Sequence, residues 1–316
     1  MLKKGRIVFL IGAVISVIII VFISKSFADE KPKVVVVLKS LDSQYWEIVK
    51  AGAEKGFKDF GLDGKVIAPG DGSAEEQIKL LEKVYKENPD VLIVAPTYET
   101  VIPILEKYTK KKEIPVLLVD QDEPWQHKTA YIGTNNLNLG RKAGSLLASQ
   151  LQPGNKVAII GGDLSISLFK ERIDGAKKAF KAAGIEVAVE KVGISDDAKT
   201  VGKEMTKILR DNPDIQGVIA THDLVAIPVI KILQELGLTI PVIGADGTPD
   251  MLKLIENGTI SSTVAQNPFD MGYLSVETAL KVTKGEKVEK VVDTGVDIII
   301  KENVKERLDF LNKLLK

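Results

Sequence analysis

Apolar residues in this chain fall into short continuous runs of strand length, separated by amphipathic stretches of helical period. The runs at residues 34–38, 66–68, 91–95, 116–119 and 130–132 predict strands. Unbroken Val, Ile and Leu segments of this kind suit strands covered on both faces of a sheet. Between them the spacing predicts helices over 43–61, 74–87 and 100–112. The first is apolar at Tyr45, Val49, Ala53 and Phe57, every fourth residue, and Gly61 stops it. A helix over 139–151 follows, and strands return at 157–160, 186–192, 217–220, 242–244 and 262–264. Residues 303–316 read as an amphipathic helix with Leu308, Leu311 and Leu315 on one face. Such β-α alternation predicts an α/β protein built on doubly wound parallel sheets.

The pattern occurs twice. Gly52-Ala53-Glu54-Lys55-Gly56-Phe57-Lys58 returns as Gly175-Ala176-Lys177-Lys178-Ala179-Phe180-Lys181. Asn88-Pro89-Asp90 returns as Asn212-Pro213-Asp214, and Ile114-Pro115-Val116 with Asp120 returns as Ile240-Pro241-Val242 with Asp246. The offsets of 123, 124 and 126 residues are far beyond solenoid periods of roughly 20–50. Two similar lobes are expected, joined near Gly133-Thr134-Asn135-Asn136, with a strand-end carboxylate in equivalent places at Asp120 and Asp246. A cleft between such lobes is where a ligand binds.

Composition narrows the function. Charges balance at 43 basic and 43 acidic residues, so no overall field favours nucleic acid or an anionic membrane. The chain has no Cys, which excludes disulfides, thiolate metal sites and a lipid-modified N-terminal Cys. Lys3, Lys4 and Arg6 precede an uncharged apolar run over residues 7–23, followed by Ser26-Phe27-Ala28. This fits a secretory signal cut after Ala28. The run also reaches the lower length of a spanning helix, ~17–25 residues, so residues 1–32 read as a signal peptide or a membrane anchor. Either places the remainder outside the cytoplasm. With two His and no G-x-S-x-G, H-E-x-x-H or glycine-rich phosphate loop, an enzyme is not expected. Nor is a metal or other cofactor.

Several stretches resemble the ribose-binding-protein group of bacterial periplasmic sugar-binding proteins, whose ligand-binding core lactose-repressor-type regulators share. They are residues 34–55 with Tyr45-Trp46, residues 114–120, Lys170-Glu171-Arg172 ahead of Gly175, Thr221-His222-Asp223, residues 242–250 (VIGADGTPD) and Ala265-Gln266. The last but one is the most diagnostic. A regulator would carry a basic helix-turn-helix before the first lobe, where this chain has its apolar segment. The resemblance implies the type I periplasmic binding protein fold, two lobes joined by a three-segment hinge. Residues 33–134 with 266–291 would form one lobe, and 135–265 with 292–316 the other. It also implies a monosaccharide or related small polyol held by hinge closure, in a protein that works as a monomer.

Sugar hydroxyls are best held by charged planar groups, and their C–H faces by aromatic rings. The resemblance assigns these roles to Tyr45 and Trp46 (rings), Asp120 and Asp246 (acceptors), Arg172 (donor fork) and Gln266. The residues alone leave other readings open: polar strand ends, a solvated helix position for Arg172, and core for the two rings. Departures from the group are Gln121 where it often has Arg, His222 for Asn, Ser43 for Asn, and Lys39 for a small polar residue. A lysine there resembles receptors for the furanose-type quorum signal autoinducer-2, although Arg172 is not expected of them. At the second-lobe ring position stand Asp196 and Asp197, so one ring is expected to be absent. The departures argue against simple ribose specificity. The expected partner is the permease of a sugar ABC transporter, the alternative being a sensor: a histidine kinase or chemoreceptor served by an anchored protein.

Overall fold

The computed structural model describes residues 31–315; the signal-or-anchor reading of residues 1–32 falls almost wholly outside them. Among the described residues no helix is long and apolar enough to cross a membrane. The chain starts with β1 (Lys33–Val37), α1 (Gln44–Phe60), β2 (Asp63–Ile67), α2 (Ala74–Glu87), β3 (Val91–Val94), α3 (Ile102–Lys112), β4 (Val116–Val119) and β5 (Ala130–Gly133). It then crosses into α4 (Asn136–Ala148), β6 (Lys156–Ile160), α5 (Ser167–Ala183), β7 (Glu186–Lys191), α6 (Ala198–Asp211), β8 (Ile215–Ala220) and α7 (Asp223–Glu235). β9 (Val242–Ile243), β10 (Ala245–Asp246), α8 (Pro249–Glu256) and β11 (Ser262–Ala265) complete this half. A return crossing leads to α9 (Pro268–Thr283) and β12 (Val291–Asp293), and a third to β13 (Asp297–Ile300) and α10 (Val304–Leu314).

The first lobe is a parallel six-stranded sheet in the order β12-β5-β4-β3-β1-β2. β1, β3, β4 and β5 are buried almost throughout, which accounts for their unbroken apolar runs. β12 pairs with β5 as far as Asp293 opposite Gly133. Val292 and Asp293, expected in the second lobe, therefore belong to the first sheet. The second lobe has β7-β6-β8-β9 in one stretch and β10-β11-β13 in the next, joined where Val264 N–H donates to the Gly244 carbonyl at 3.4 Å. β13 runs antiparallel to β11, an arrangement the alternating pattern did not predict.

Glycines explain part of the sequence repeat. A Cβ at Gly52 would lie 2.0 Å from the Phe269 carbonyl oxygen, and one at Gly175 would lie 2.2 Å from that of Leu137. Each lobe thus brings two helices, α1 with α9 and α4 with α5, to backbone contact through the same repeated position. The crossings lie side by side. Asp293 Oδ1 accepts from the N–H of Asn135 at 3.3 Å and of Gly295 at 3.0 Å, tying the first to the third. Arg307 of α10 donates through Nη2 to the Gln266 carbonyl at 2.7 Å and to Asn267 Oδ1 at 2.8 Å, bracing the second.

Candidate functional site

The ends of β4 and β10 carry the same device. Asp120 has φ +68° and Asp246 φ +133°, conformations that cost a non-glycine residue on the order of 1–3 kcal/mol and cluster at functional sites. In the first lobe Tyr45 Oη donates to Asp120 Oδ1 at 2.6 Å. Lys39 Nζ lies 3.7 Å from Asp120 Oδ2 and donates to Gln121 Oε1 at 2.6 Å. Burial pulls the Lys39 ammonium below the usual lysine range, against the opposing pull of Asp120 and Glu123. Burial, reinforced by Asp120, pushes the Tyr45 phenol well up, so it remains a donor. Trp46 stands edge-on to Tyr45 at 5.2 Å, with Lys39 Nζ 5.7 Å from its ring.

Across from them Asp246 accepts at Oδ1 from Arg172 Nη1 at 3.1 Å and Gln266 Nε2 at 2.6 Å. Arg172 is 4 % exposed; its Nε donates to Asn136 Oδ1 at 2.9 Å and its Nη1 to the Thr221 carbonyl at 2.8 Å. Such a guanidinium is fixed by the fold before any ligand arrives, and rigid placement lowers the cost of binding. His222 contacts Thr221 Oγ1 through Nδ1 at 3.0 Å, faces Asp196 Oδ2 from Nε2 at 3.5 Å, and packs against the Phe169 ring at 4.7 Å. The hydrogen bond with His222 holds the Asp196 carboxyl below the usual range.

These groups surround a cleft of about 460 Å³ between the lobes, within the range of roughly 300–1,000 Å³ for small-molecule sites. Of the residues singled out from sequence, Lys39, Ser43, Tyr45, Trp46, Asp120, Arg172, His222, Asp246 and Gln266 line it. Gln121 does not. It is buried behind Lys39, whose ammonium it accepts, and its amide donates to Glu123. Ser43 has a second task as N-cap of α1, accepting from Trp46 N–H at 3.5 Å. Trp125 is buried in the first-lobe core, away from the cleft.

Sequence reasoning missed Phe169, Asp223 and Thr248, which also line the cleft. Phe169 supplies a second-lobe ring from the start of α5 instead of from the Asp196 position. Its signal was available: it lies three residues before Arg172, and residues so spaced share a helix face. Asp223 and Thr248 lie in the singled-out stretches Thr221-His222-Asp223 and 242–250, but their contact with each other arises only through the fold.

The cleft therefore offers the Asp120 and Asp246 carboxylates, an ammonium, a guanidinium and an amide beside aromatic rings, a set suited to a compact polyhydroxyl molecule. Comparison with known proteins agrees. The family model described as "Periplasmic binding protein domain" matches residues 34–287. The ribose import binding protein of Escherichia coli (strain K12) is 28% identical over 276 residues, covering 87% of this chain and 93% of the relative. The glucose-galactose binding protein of Geobacillus stearothermophilus aligns with TM-score 0.80 and 30% identity over 87% of this chain and 99% of its own. A solute-binding protein from Actinobacillus succinogenes 130z with bound D-allose aligns with TM-score 0.81 and 26% identity, over 87% and 100%. The shared domain spans nearly every described element, and the chain belongs to the periplasmic binding protein family.

Proposed function

We propose that the protein binds a monosaccharide or related small polyol in this cleft and closes on it about the three-segment hinge. It serves as the extracytoplasmic solute receptor of a sugar ABC transporter and delivers its cargo to the permease without chemical change. The observation that carries the reading is the pair Asp120 and Asp246. Each is a strand-end carboxylate in a costly backbone conformation, each comes from a different lobe, and each is already paired with a cation. Relatives named for ribose and D-allose lend support. Ligand contacts on both lobes mean that a closed form gains interactions an open one lacks. The apolar run over residues 7–23 holds the receptor at the outer face of the membrane, in place of the lipid that a chain without Cys cannot carry. N-terminal sequencing of the native protein decides that point, and a start at Asp29 defeats it.

The test of binding is a melting screen of the purified protein with D-ribose, D-allose, D-arabinose, D-glucose, D-galactose and simple polyols. A ligand at 100 times its Kd stabilises the native state by about 2.7 kcal/mol. A clear rise in melting temperature with at least one compound is expected, and a screen without any rise sinks the reading.

A further inference from the structure

Asp223 opens α7 directly behind the second-lobe wall and is 1 % exposed. Its Oδ2 accepts from the Thr248 backbone N–H at 2.7 Å and lies 2.9 Å from the Thr248 hydroxyl. Its Oδ1 is sealed from water and has no hydrogen-bond partner among the described residues. Apolar groups stand near that oxygen: a Cβ at Gly244 would lie 2.9 Å from Oδ1, from Ala226 Cβ and from Met251 Cε. The charged groups facing Asp223 are Asp246 from β10 and Arg172 from α5. Neighbouring His222 turns its ring to Thr221 and Asp196. Arg172 bonds to Asn136, Thr221 and Asp246, not to Asp223. One guanidinium thus stands near two carboxylates, buried Asp223 and partly buried Asp246, and touches only Asp246. A buried carboxylate with neither a cation nor a donor for one oxygen neutralises by taking up a proton.

We propose that Asp223 carries a proton in the folded protein, shared with Thr248, and that this proton leaves the Arg172 guanidinium to Asp246 alone. Asp223 is then a positioning residue for ligand capture, a role that rests on the sugar-binding reading above. On Oδ2 the proton is donated to Thr248 Oγ1 across the same 2.9 Å contact, the threonine hydroxyl reversing, while Oδ2 still accepts the Thr248 N–H. This clasp closes the turn Asp246-Gly247-Thr248, whose first two residues have φ +133° and +71°. It therefore fixes the strained segment that presents Asp246. Burial, and after it the Asp246 carboxylate, push the Asp223 carboxyl well above the usual carboxylate range. Ionising it would set a second negative charge beside Asp246, whose Oδ2 is 3.4 Å from the Asp223 N–H.

The experiment is carboxyl-carbon NMR of the ligand-free protein labelled at aspartate, titrated from about pH 2 to about pH 9, a span that brackets ordinary carboxylates. One resonance, identified by its loss in Asp223→Asn, should keep the shift of a protonated acid at neutral pH. A resonance that has titrated in the ordinary carboxylate range overturns the proposal. Should Asp223→Asn fail to fold, Thr248→Val removes the proton's acceptor and marks the same resonance by moving it. Calorimetry with D-ribose and D-allose tests the link to binding. Wild type should weaken by roughly fivefold or more between neutral and alkaline pH, the lower end of usual coupling. Asp223→Asn, which keeps a donor toward Thr248 and cannot ionise, should weaken less, showing only the dependence of groups such as Lys39 that release protons at alkaline pH. Equal pH profiles in the two proteins overturn the positioning role. If neither sugar binds, the sugar reading fails for them and the NMR titration still decides the proton.

Discussion

The two lobes present the same carboxylate on the same kind of strand end, but they hold it by opposite means. In the second lobe Asp246 meets a guanidinium buried to 4 % exposure and anchored on Asn136 and the Thr221 carbonyl. In the first lobe Asp120 meets a phenol and, at 3.7 Å, an ammonium on a flexible stem. Arginine's planar fork is pre-organised, whereas a lysine ammonium is a movable point charge. The backbone device is common to both halves while the counter-groups have diverged. One wall of the cleft is therefore rigid before ligand arrives, and the other can adjust.

The largest effect should separate the two walls directly. Asp246→Asn leaves the buried Arg172 fork without its carboxylate, and breaking such a pair costs roughly 2–5 kcal/mol of binding. Asp120→Asn leaves Lys39 bonded to Gln121 and partly exposed, so a smaller loss is expected. Asparagine is chosen because, like aspartate, it tolerates positive φ better than most residues. Calorimetry with a sugar identified by the melting screen provides the comparison. If Asp120→Asn proves the more damaging, the rigid wall is not the one that dominates affinity.

A second contrast concerns packing, where the lobes should behave alike. Gly52→Ala and Gly175→Ala each drive a methyl into a neighbouring helix backbone, at 2.0 Å and 2.2 Å, and overpacking of this kind costs about 1–3 kcal/mol. Both variants should melt several degrees lower. Both should also lose affinity, since Arg172 lies on the helix of Gly175 and Tyr45 and Trp46 lie on that of Gly52. A Gly52→Ala protein that melts like wild type would break the equivalence.

The same glycines show what the sequence could tell. The Gly-Ala repeat was legible because each lobe needs one close helix contact, and the buried strands were legible because both faces are covered. The antiparallel β13 was passed over although Ile298-Ile299-Ile300 is an apolar run, and such a run carries no sign of strand direction. The side chains opposite the aspartates were legible through their motifs. The misplaced Gln121 and the Asp223–Thr248 clasp depend on contacts between segments distant in sequence, or on which way a side chain turns. Neither leaves a local pattern.

The smallest effect expected is a pH signature of the adjustable wall. The folded-state pKa of Lys39 lies below its ordinary value of 10.5, chiefly through burial. Between those two pH values the unfolded chain still holds a proton that the folded protein has released. Stability rises with pH wherever the unfolded state binds more protons, so this residue contributes a gain across that alkaline window and a loss as pH falls back through the folded value. Lys39→Met keeps the apolar stem beside Trp46 and cannot titrate. The melting temperature of wild type relative to Lys39→Met should therefore climb as pH is raised from neutrality toward 10.5. The climb is modest because the lysine side chain keeps 17% exposure and solvent screens what it reaches. A guanidinium in the matching role does not titrate in that window, so Arg172 should carry no such signature. A difference that stays flat with pH would mean that Lys39 is solvated like a surface lysine, and the contrast between a rigid and an adjustable wall would lose its electrostatic half.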